Sequence, residues 1–299
     1  MSHSSPDTII ARGYEVALRR LSGLVEPRHG SARESSGESA YTLGPREGPE
    51  ALLLHGLTGS PWDLRPLAEA LATHGYRAQV PLLAGHANID ALETHGWRDW
   101  LASAEKPLRE STAPCVLLGF SMGGLLALEL AARHPTLVRA LVTLAVPLRT
   151  PTWQLRVAGV LARLREVGAL HGLVGRHKKQ RIDVRVQSVA KNSPSFAHFP
   201  YPSIVELGTL QTIVRQHLSD VRAPTLIMHA RFDHSADPRD SAELSQRIGS
   251  SVVQRVVLPR SYHLIPRDLD SARSGQQIVD FLAMIDATSA RERPHPSEP

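Results

Sequence analysis

Apolar and polar positions along the chain fall into short blocks whose period switches repeatedly between that of a strand and that of a helix. Compact apolar runs predict strands at Glu50 to Leu54, Tyr76 to Pro81, Cys115 to Leu118, Leu137 to Ala145, Pro224 to Met228 and Val252 to Leu258. Apolar residues at helical spacing predict helices over Asp63 to Thr73, Trp97 to Leu108, Met122 to Arg133, Arg239 to Ile248 and Ser271 to Met284. Ser60 or Asp63 caps the first of these, and His74-Gly75 ends it. Gly85 to Gly96 reads as a polar loop. The run Cys115 to Leu118 is apolar at every position, which suits a strand covered on both faces. Alternation of this kind calls for parallel strand pairs with right-handed crossovers. The expected class is therefore α/β: an open, mostly parallel sheet with helices on both faces.

Three stretches stand outside the alternation. Asp7 to Val25 carries Ile10, Tyr14, Leu18, Leu21 and Val25 at helical spacing with arginines between them. It is expected to be an amphipathic helix packed on the body, with a membrane-surface or partner-binding helix as the alternative. Pro27 to Ala40 has no period and reads as a flexible linker, so residues 1–48 precede the core. Leu148 to Asp220 is basic and helical in tone, with candidate helices at Trp153 to Leu164, Asp183 to Val189 and Ile204 to Leu218, interrupted by Pro194, Pro200 and Pro202. It is far longer than a crossover needs, so it is expected to be an insertion over residues 148–218 between core segments 49–147 and 219–287. Residues 288–299 are polar and Pro-rich and are expected to be a disordered tail.

Composition narrows the class of protein. With 42% hydrophobic and 21% charged residues, a chain of 299 can bury one substantial core plus a small accessory layer. A single cysteine, Cys115, rules out an internal disulfide, and its place in a strand reads as core. The net charge of +5 is scattered among acidic residues rather than gathered into a stripe with aromatics, so no nucleic-acid partner is expected. No apolar run is long enough for a membrane-spanning helix, and the first residues lack the apolar core of a secretory signal. A cytoplasmic location is the expectation; the oligomeric state is left open.

The candidate chemistry sits at Gly119-Phe120-Ser121-Met122-Gly123, between a predicted strand and a predicted helix. Two glycines permit a turn too sharp for Cβ atoms, and they leave the serine exposed over a helix N-terminus, where backbone N–H groups favour negative charge. A serine hydroxyl is a poor nucleophile at neutral pH. It needs a base, for which histidine has a suitable pKa, and the histidine needs a carboxylate to hold its tautomer.

Strand, G-x-S-x-G and helix in this order resemble the α/β-hydrolase family. The likeness narrows through His55-Gly56-Leu57-Thr58-Gly59-Ser60-Pro61, Gly75-Tyr76, Gly85-His86, Trp97, Trp100, Ala230-Arg231-Phe232-Asp233 and Ser261-Tyr262-His263, which look like the bacterial carboxylesterase and monoacylglycerol lipase group over about Glu50 to Ile285. The resemblance implies that the insertion is a helical cap and that the order along the chain is Ser121, acid, His. His263 then stands just past the final strand, at the carboxyl end of the sheet, and is the expected base. Asp233 and Asp237 both follow the strand Pro224 to Met228. Asp233 fits the family's spacing, whereas Asp237-Pro238 looks like the cap and first turn of a helix. His229, Asp233, His234 and Asp237 fit no compact metal motif, and no metal or other cofactor is expected. The resemblance also implies an oxyanion hole from the N–H groups of Leu57 and Met122. Tyr262 departs from the group's usual Gly before the base, and Ala87 from its Gly-His-Gly, which puts the rim of the site in question.

The reading that follows is a serine hydrolase of small carboxylic esters, of short to medium acyl chain or monoacylglycerol, acting through an acyl-enzyme. The same three residues could serve an acyltransferase, an amidase or a thioesterase, and a receptor on the same fold is a further alternative. Leu125, Leu126, Val146, Leu148 and Trp153 are apolar candidates for the pocket or cap.

Overall fold

The computed structural model describes residues 39–166, 174, 176–179 and 181–292. The expected helix over 7–25 and the linker up to residue 38 lie outside the described residues. The strands are β1 (Tyr41–Leu43), β2 (Glu50–Leu54), β3 (Arg77–Val80), β4 (Cys115–Phe120), β5 (Val138–Leu144), β6 (His177–Lys178), β7 (His198–Phe199), β8 (Thr225–Ala230) and β9 (Val253–Leu258). Seven of them form one sheet in the order β1-β3-β2-β4-β5-β8-β9, and β6 and β7 make a separate antiparallel ribbon. Within the large sheet only β1 runs antiparallel to its neighbour.

The helices are α1 (Arg65–Thr73), α2 (Ile89–Thr94), α3 (Trp97–Glu110), α4 (Met122–Arg133), α5 (Thr152–Glu166), α6 (Gln187–Asn192), α7 (Tyr201–His217), α8 (Asp240–Arg247) and α9 (Ser271–Glu292). Successive side chains of the central strands point to opposite faces. Leu52, Leu54, Leu117, Leu141 and Ile227 meet α3, α4, α7 and α8 on one side. Ala51, Leu53, Leu118, Val142 and Leu226 meet α1 and α9 on the other. This two-sided burial is why β4 and β8 are apolar almost throughout. Among the described residues no helix is long and apolar enough to cross a membrane.

The structure corrects several expected boundaries. The sheet begins at Tyr41, not at residue 49, because β1 is a three-residue edge strand, half-exposed and too short to show a period. The expected loop over Gly85 to Gly96 holds α2, whose N-terminus is capped by the Asn88 side chain (2.8 Å to the Ala91 N–H) and which buries Ile89 and Leu92. The helix expected over Asp183 to Val189 forms later, as α6, since the Asp183 carboxylate is engaged by His234 and Ser235 instead of capping. Helix α7 begins before Pro202, which a first turn tolerates. Helix α9 runs on to Glu292, past the expected start of a disordered tail at residue 288.

Between β5 and β8 the chain leaves the sheet for α5, the β6–β7 ribbon, α6 and α7. Helices α5 and α7 pack on each other through Ala158, Ala162 and Tyr201, with Leu155 pressed close to Gly208. The inner face of α7 continues into the main core through Leu210 and Val214. The segment is thus anchored along the carboxyl ends of the strands, where the candidate site lies.

Candidate active site

The turn after β4 is built from its glycines outward. Ser121 has φ +54°, in the left-handed region that a side chain rarely occupies. A Cβ on Gly119 would stand 2.2 Å from the Gly123 carbonyl oxygen, and one on Gly123 would stand 2.0 Å from that of Leu54. Strand, turn and helix therefore close only with glycine at both positions. The strained turn lifts the Ser121 side chain above the N-terminus of α4.

His263 lies in the loop after β9, with its Nε2 3.0 Å from Ser121 Oγ and its Nδ1 2.8 Å from Asp233 Oδ2. A carboxylate accepts only, so Nδ1 carries the proton and Nε2 is free to accept from the serine hydroxyl. The histidine loop is pinned by two carboxylates. Asp268 accepts from the Tyr262 N–H (2.7 Å), and Asp270 accepts from the Arg260 N–H (2.8 Å) and the Ser261 hydroxyl (3.0 Å). Tyr262, at the position that bears on the rim, packs edge-on to His234 at 4.6 Å between ring centroids and lies under the Arg185 guanidinium.

Asp233 is buried. Its Oδ1 accepts from the Ser235 and Ala236 N–H groups at 2.8 Å each, which leaves Oδ2 for His263. His229 Nε2 is 3.2 Å from the same Oδ2, an ion-pair distance without hydrogen-bond alignment. Burial alone would raise the pKa of Asp233, but His263 and His229 hold it well below the usual carboxylate range. For His263, burial works against the proton and the Asp233 carboxylate works for it; the net effect is a raised pKa. Asp237 is exposed and occupied locally, accepting from the backbone N–H and the guanidinium of Arg239. His234 turns to Asp183 at 2.8 Å. Of the four residues of the His229–Asp237 cluster, His229 and Asp233 meet, while His234 and Asp237 turn to Asp183 and Arg239.

Beyond β2, Gly56 brings backbone against the serine: a Cβ there would lie 3.2 Å from that of Ser121. The next residue is Leu57. Among the described residues, neither the Leu57 nor the Met122 N–H has a hydrogen-bond acceptor. Thr58 holds φ +64°, unusual for a β-branched residue, and two contacts from the insertion secure it. The Phe196 N–H donates to its carbonyl at 3.0 Å, and the Lys179 ammonium donates to its hydroxyl. Behind the turn, His55 accepts from the Leu83 N–H at 3.1 Å through Nε2, and its ring meets that of buried His86 edge-on at 4.8 Å. Burial, above all, keeps both imidazoles neutral, with His86 held at about 4.

A cavity of about 410 Å³ opens over Ser121, lined by the 56–59 turn, the loop after β5, the ribbon and the His263 loop. Of the apolar candidates, Leu125, Leu126, Val146 and Leu148 pack in the core, and Trp153 is exposed on α5. Sequence reasoning missed Lys179, and it weighed His229 only as a metal ligand, not as a neighbour of Asp233 Oδ2. Lys179 sits in a stretch with no apolar period. His229 is a strand residue whose distance of four positions from Asp233 signals nothing until the strand ends and the chain turns back.

The family model described as serine aminopeptidase, S33 matches residues 50–270. A thermostable monoacylglycerol lipase of Bacillus sp. (strain H-257) is 30% identical over 236 residues, which cover 78% of this chain and 89% of the relative. A carboxylesterase of Bacillus subtilis (strain 168) is 24% identical over 243 residues, or 79% and 92% of the two chains. Among solved structures, one from work on LipS and LipT, two metagenome-derived lipolytic enzymes, has a TM-score of 0.73 at 25% identity and covers 84% of this chain and 99% of its own. A Paleococcus ferrophilus monoacylglycerol lipase, at 18% identity and a TM-score of 0.70 over 82% and 98%, is alike in fold. The fold is that of the α/β-hydrolases.

Proposed function

The chain belongs to the serine aminopeptidase S33 family, and from that premise we propose that it is a carboxylic ester hydrolase with Ser121 as nucleophile, His263 as base and Asp233 as the group that orients the base. The observation that carries this reading is the continuous contact Ser121 Oγ–His263 Nε2–Asp233 Oδ2, at 3.0 and 2.8 Å. Ser121 Oγ attacks the ester carbonyl carbon as Nε2 takes its proton. The carbonyl oxygen becomes an oxyanion, received by the Leu57 and Met122 N–H groups, each such donor being worth about 3 kcal/mol in a transition state. The C–O bond to the alcohol breaks, and the alcohol leaves with the proton from Nε2. Water, deprotonated by the same imidazole, then attacks the acyl-enzyme and releases the acid and free Ser121.

No cofactor enters this sequence of steps. A cavity of about 410 Å³ suits an ester of short to medium acyl chain. A monoacylglycerol is a specific option, on the name of the Bacillus relative. The insertion between β5 and β8 acts as the cap over that cavity. The reading includes a cytoplasmic location.

The test is turnover of a p-nitrophenyl ester series beside the matched p-nitroanilides, with Ser121→Ala as control. Ester cleavage with a pre-steady-state burst, absent in the alanine variant, is the expected result. Faster cleavage of the anilides would move the assignment to an amidase, and ester turnover that survives Ser121→Ala would overturn it.

A further inference from the structure

Among the described residues, not every charged group around the cavity has an oppositely charged partner in contact. The Asp183 carboxylate is held by hydrogen bonds from the His234 backbone N–H (2.9 Å), the His234 ring (2.8 Å) and the Ser235 hydroxyl (3.2 Å). Arg149 turns away to Glu243 and Asp240 on α8. Asp63, buried beneath the 56–59 turn, accepts from the Ser60 N–H at 3.3 Å; burial raises its pKa to about 6, and among the charges near it Lys179 acts most strongly, followed by Arg267 and His263. Two cations are left on the wall, Lys179 and Arg181. Among the described residues, neither has a carboxylate within ion-pair distance.

Lys179 is the better placed of the two. Its backbone N–H bonds to the Ala197 carbonyl at 2.9 Å, which fixes it beside the β6–β7 ribbon. Among the described residues its ammonium contacts neutral partners, the Thr58 hydroxyl and, at 4.7 Å, the face of the Phe199 ring, while the Asp63 carboxylate acts on it from beyond ion-pair distance. Thr58 adjoins Leu57, so this charge lies directly beside the oxyanion turn. Holding a threonine hydroxyl requires one donor, and a neutral side chain would supply it without the cost of stripping water from a cation. A desolvated ammonium facing a substrate cavity instead suits an anion, which gains a charge-assisted hydrogen bond on arrival. Burial lowers its pKa to about 8, so the group is mainly protonated at neutral pH.

We propose that the ester cleaved at Ser121 carries a carboxylate, which the Lys179 ammonium receives in the cavity wall with Arg181 adding attraction at its mouth. The proposal rests on the reading of Ser121 as nucleophile. It sets this site apart from one built for a wholly neutral ester.

The experiment compares kcat/KM for matched pairs of esters. Mono-p-nitrophenyl adipate against p-nitrophenyl hexanoate places the carboxylate on the acyl side. 4-Acetoxybenzoate against phenyl acetate places it on the alcohol side. The wild type is expected to favour the anionic ester of at least one pair by about tenfold or more, with the gap narrowing as salt rises. Lys179→Met and Lys179→Gln abolish that preference, and Lys179→Arg retains it. Thr58→Val removes the hydroxyl but not the charge, and it keeps the preference even if both rates fall. No preference in either pair overturns the proposal. So does an equal loss on both members of a pair in Lys179→Met, which would mean that Lys179 only holds Thr58. Ser121→Ala separates the two levels. Silence toward all four esters leaves the serine reading intact whatever the preference, whereas surviving turnover removes that reading and this proposal with it.

Discussion

Asp233 and Asp237 belong to one short loop, yet their surroundings give them different work. Asp233 is buried, accepts two backbone N–H groups and turns its other oxygen to His263, whereas Asp237 is exposed and closes a local turn with Arg239. Asp233→Asn is expected to lower kcat by about 10³–10⁴-fold, because an amide at that position favours the wrong tautomer of His263. Asp237→Asn leaves kcat within about threefold, as for other exposed turn residues. Steady-state kinetics of the two variants decide between them, and collapse of Asp237→Asn alone would reverse the assignment. The same pair sets the pH profile. Only neutral His263 can take the serine proton, and Asp233 raises the pKa of that imidazole above its ordinary value of 6.5 despite burial. The kcat/KM for a neutral ester should therefore rise with pH through an inflection above 6.5. In Asp233→Asn burial is opposed by the weaker pull of Asp183 in place of Asp233, so the residual activity inflects at lower pH. A variant inflection at or above the wild-type one would contradict this account of the shift.

At the scale of elements, legibility followed local agreement. The strand–turn–helix from Cys115 to Arg133 could be read because an apolar run, a glycine pair and good helix formers all demand one arrangement. Asp233 and His263 could be nominated because each follows a predicted strand at the carboxyl end of the sheet, and the choice of Asp233 over Asp237 came from the spacing that the family resemblance implies. Strand β1 and helix α2 were not legible, one being too short to show a period and the other held mainly by a cap and by burying Ile89 and Leu92. Lys179 was invisible for a stronger reason: its meaning depends on Thr58, 121 positions away. Two glycines test the elbow argument in opposite directions. Gly123→Ala drives a Cβ to within 2.0 Å of the Leu54 carbonyl oxygen, and backbone on both sides must move. It should cost about 1–3 kcal/mol and lower the melting temperature by several degrees. Gly159, in α5, has nothing within 4 Å of an added Cβ, so Gly159→Ala should stabilise by about 0.5–1 kcal/mol through helix propensity. Thermal melts of the pair check both signs; equal shifts would mean that the close approach at the elbow is relieved at no cost.

Across the whole molecule, the segment between β5 and β8 touches the sheet's site from two sides. Through Phe196 and Lys179 it holds the 56–59 turn, and through Asp183 it meets the loops of both Asp233 and His263, since the Leu264 N–H donates to the Asp183 carbonyl at 3.0 Å and His234 bonds its carboxylate. Its outer edge is fastened elsewhere, at α2. Glu93 accepts from Arg165 at 2.5 Å and from Arg176 at 2.7 Å, and Arg176 also reaches Asp90. Burial would raise the pKa of Glu93, but the two guanidiniums bring it below its ordinary value, so the carboxylate is ionised at neutral pH. Glu93→Gln leaves two well-covered cations facing an amide, a loss of about 2–4 kcal/mol for a largely buried pair. That loss falls on one edge of the insertion, while the sheet keeps all its own contacts. Amide hydrogen exchange should therefore quicken in α5 and α7, with β4, β5 and β8 exchanging as before. KM for a p-nitrophenyl ester should rise more than kcat falls, because the triad contacts do not pass through Glu93 while the cavity wall does depend on the insertion. Exchange that quickens equally in sheet and insertion would show the fastening to be global, and exchange unchanged in both would show that Asp90 and the α5–α7 packing suffice without it.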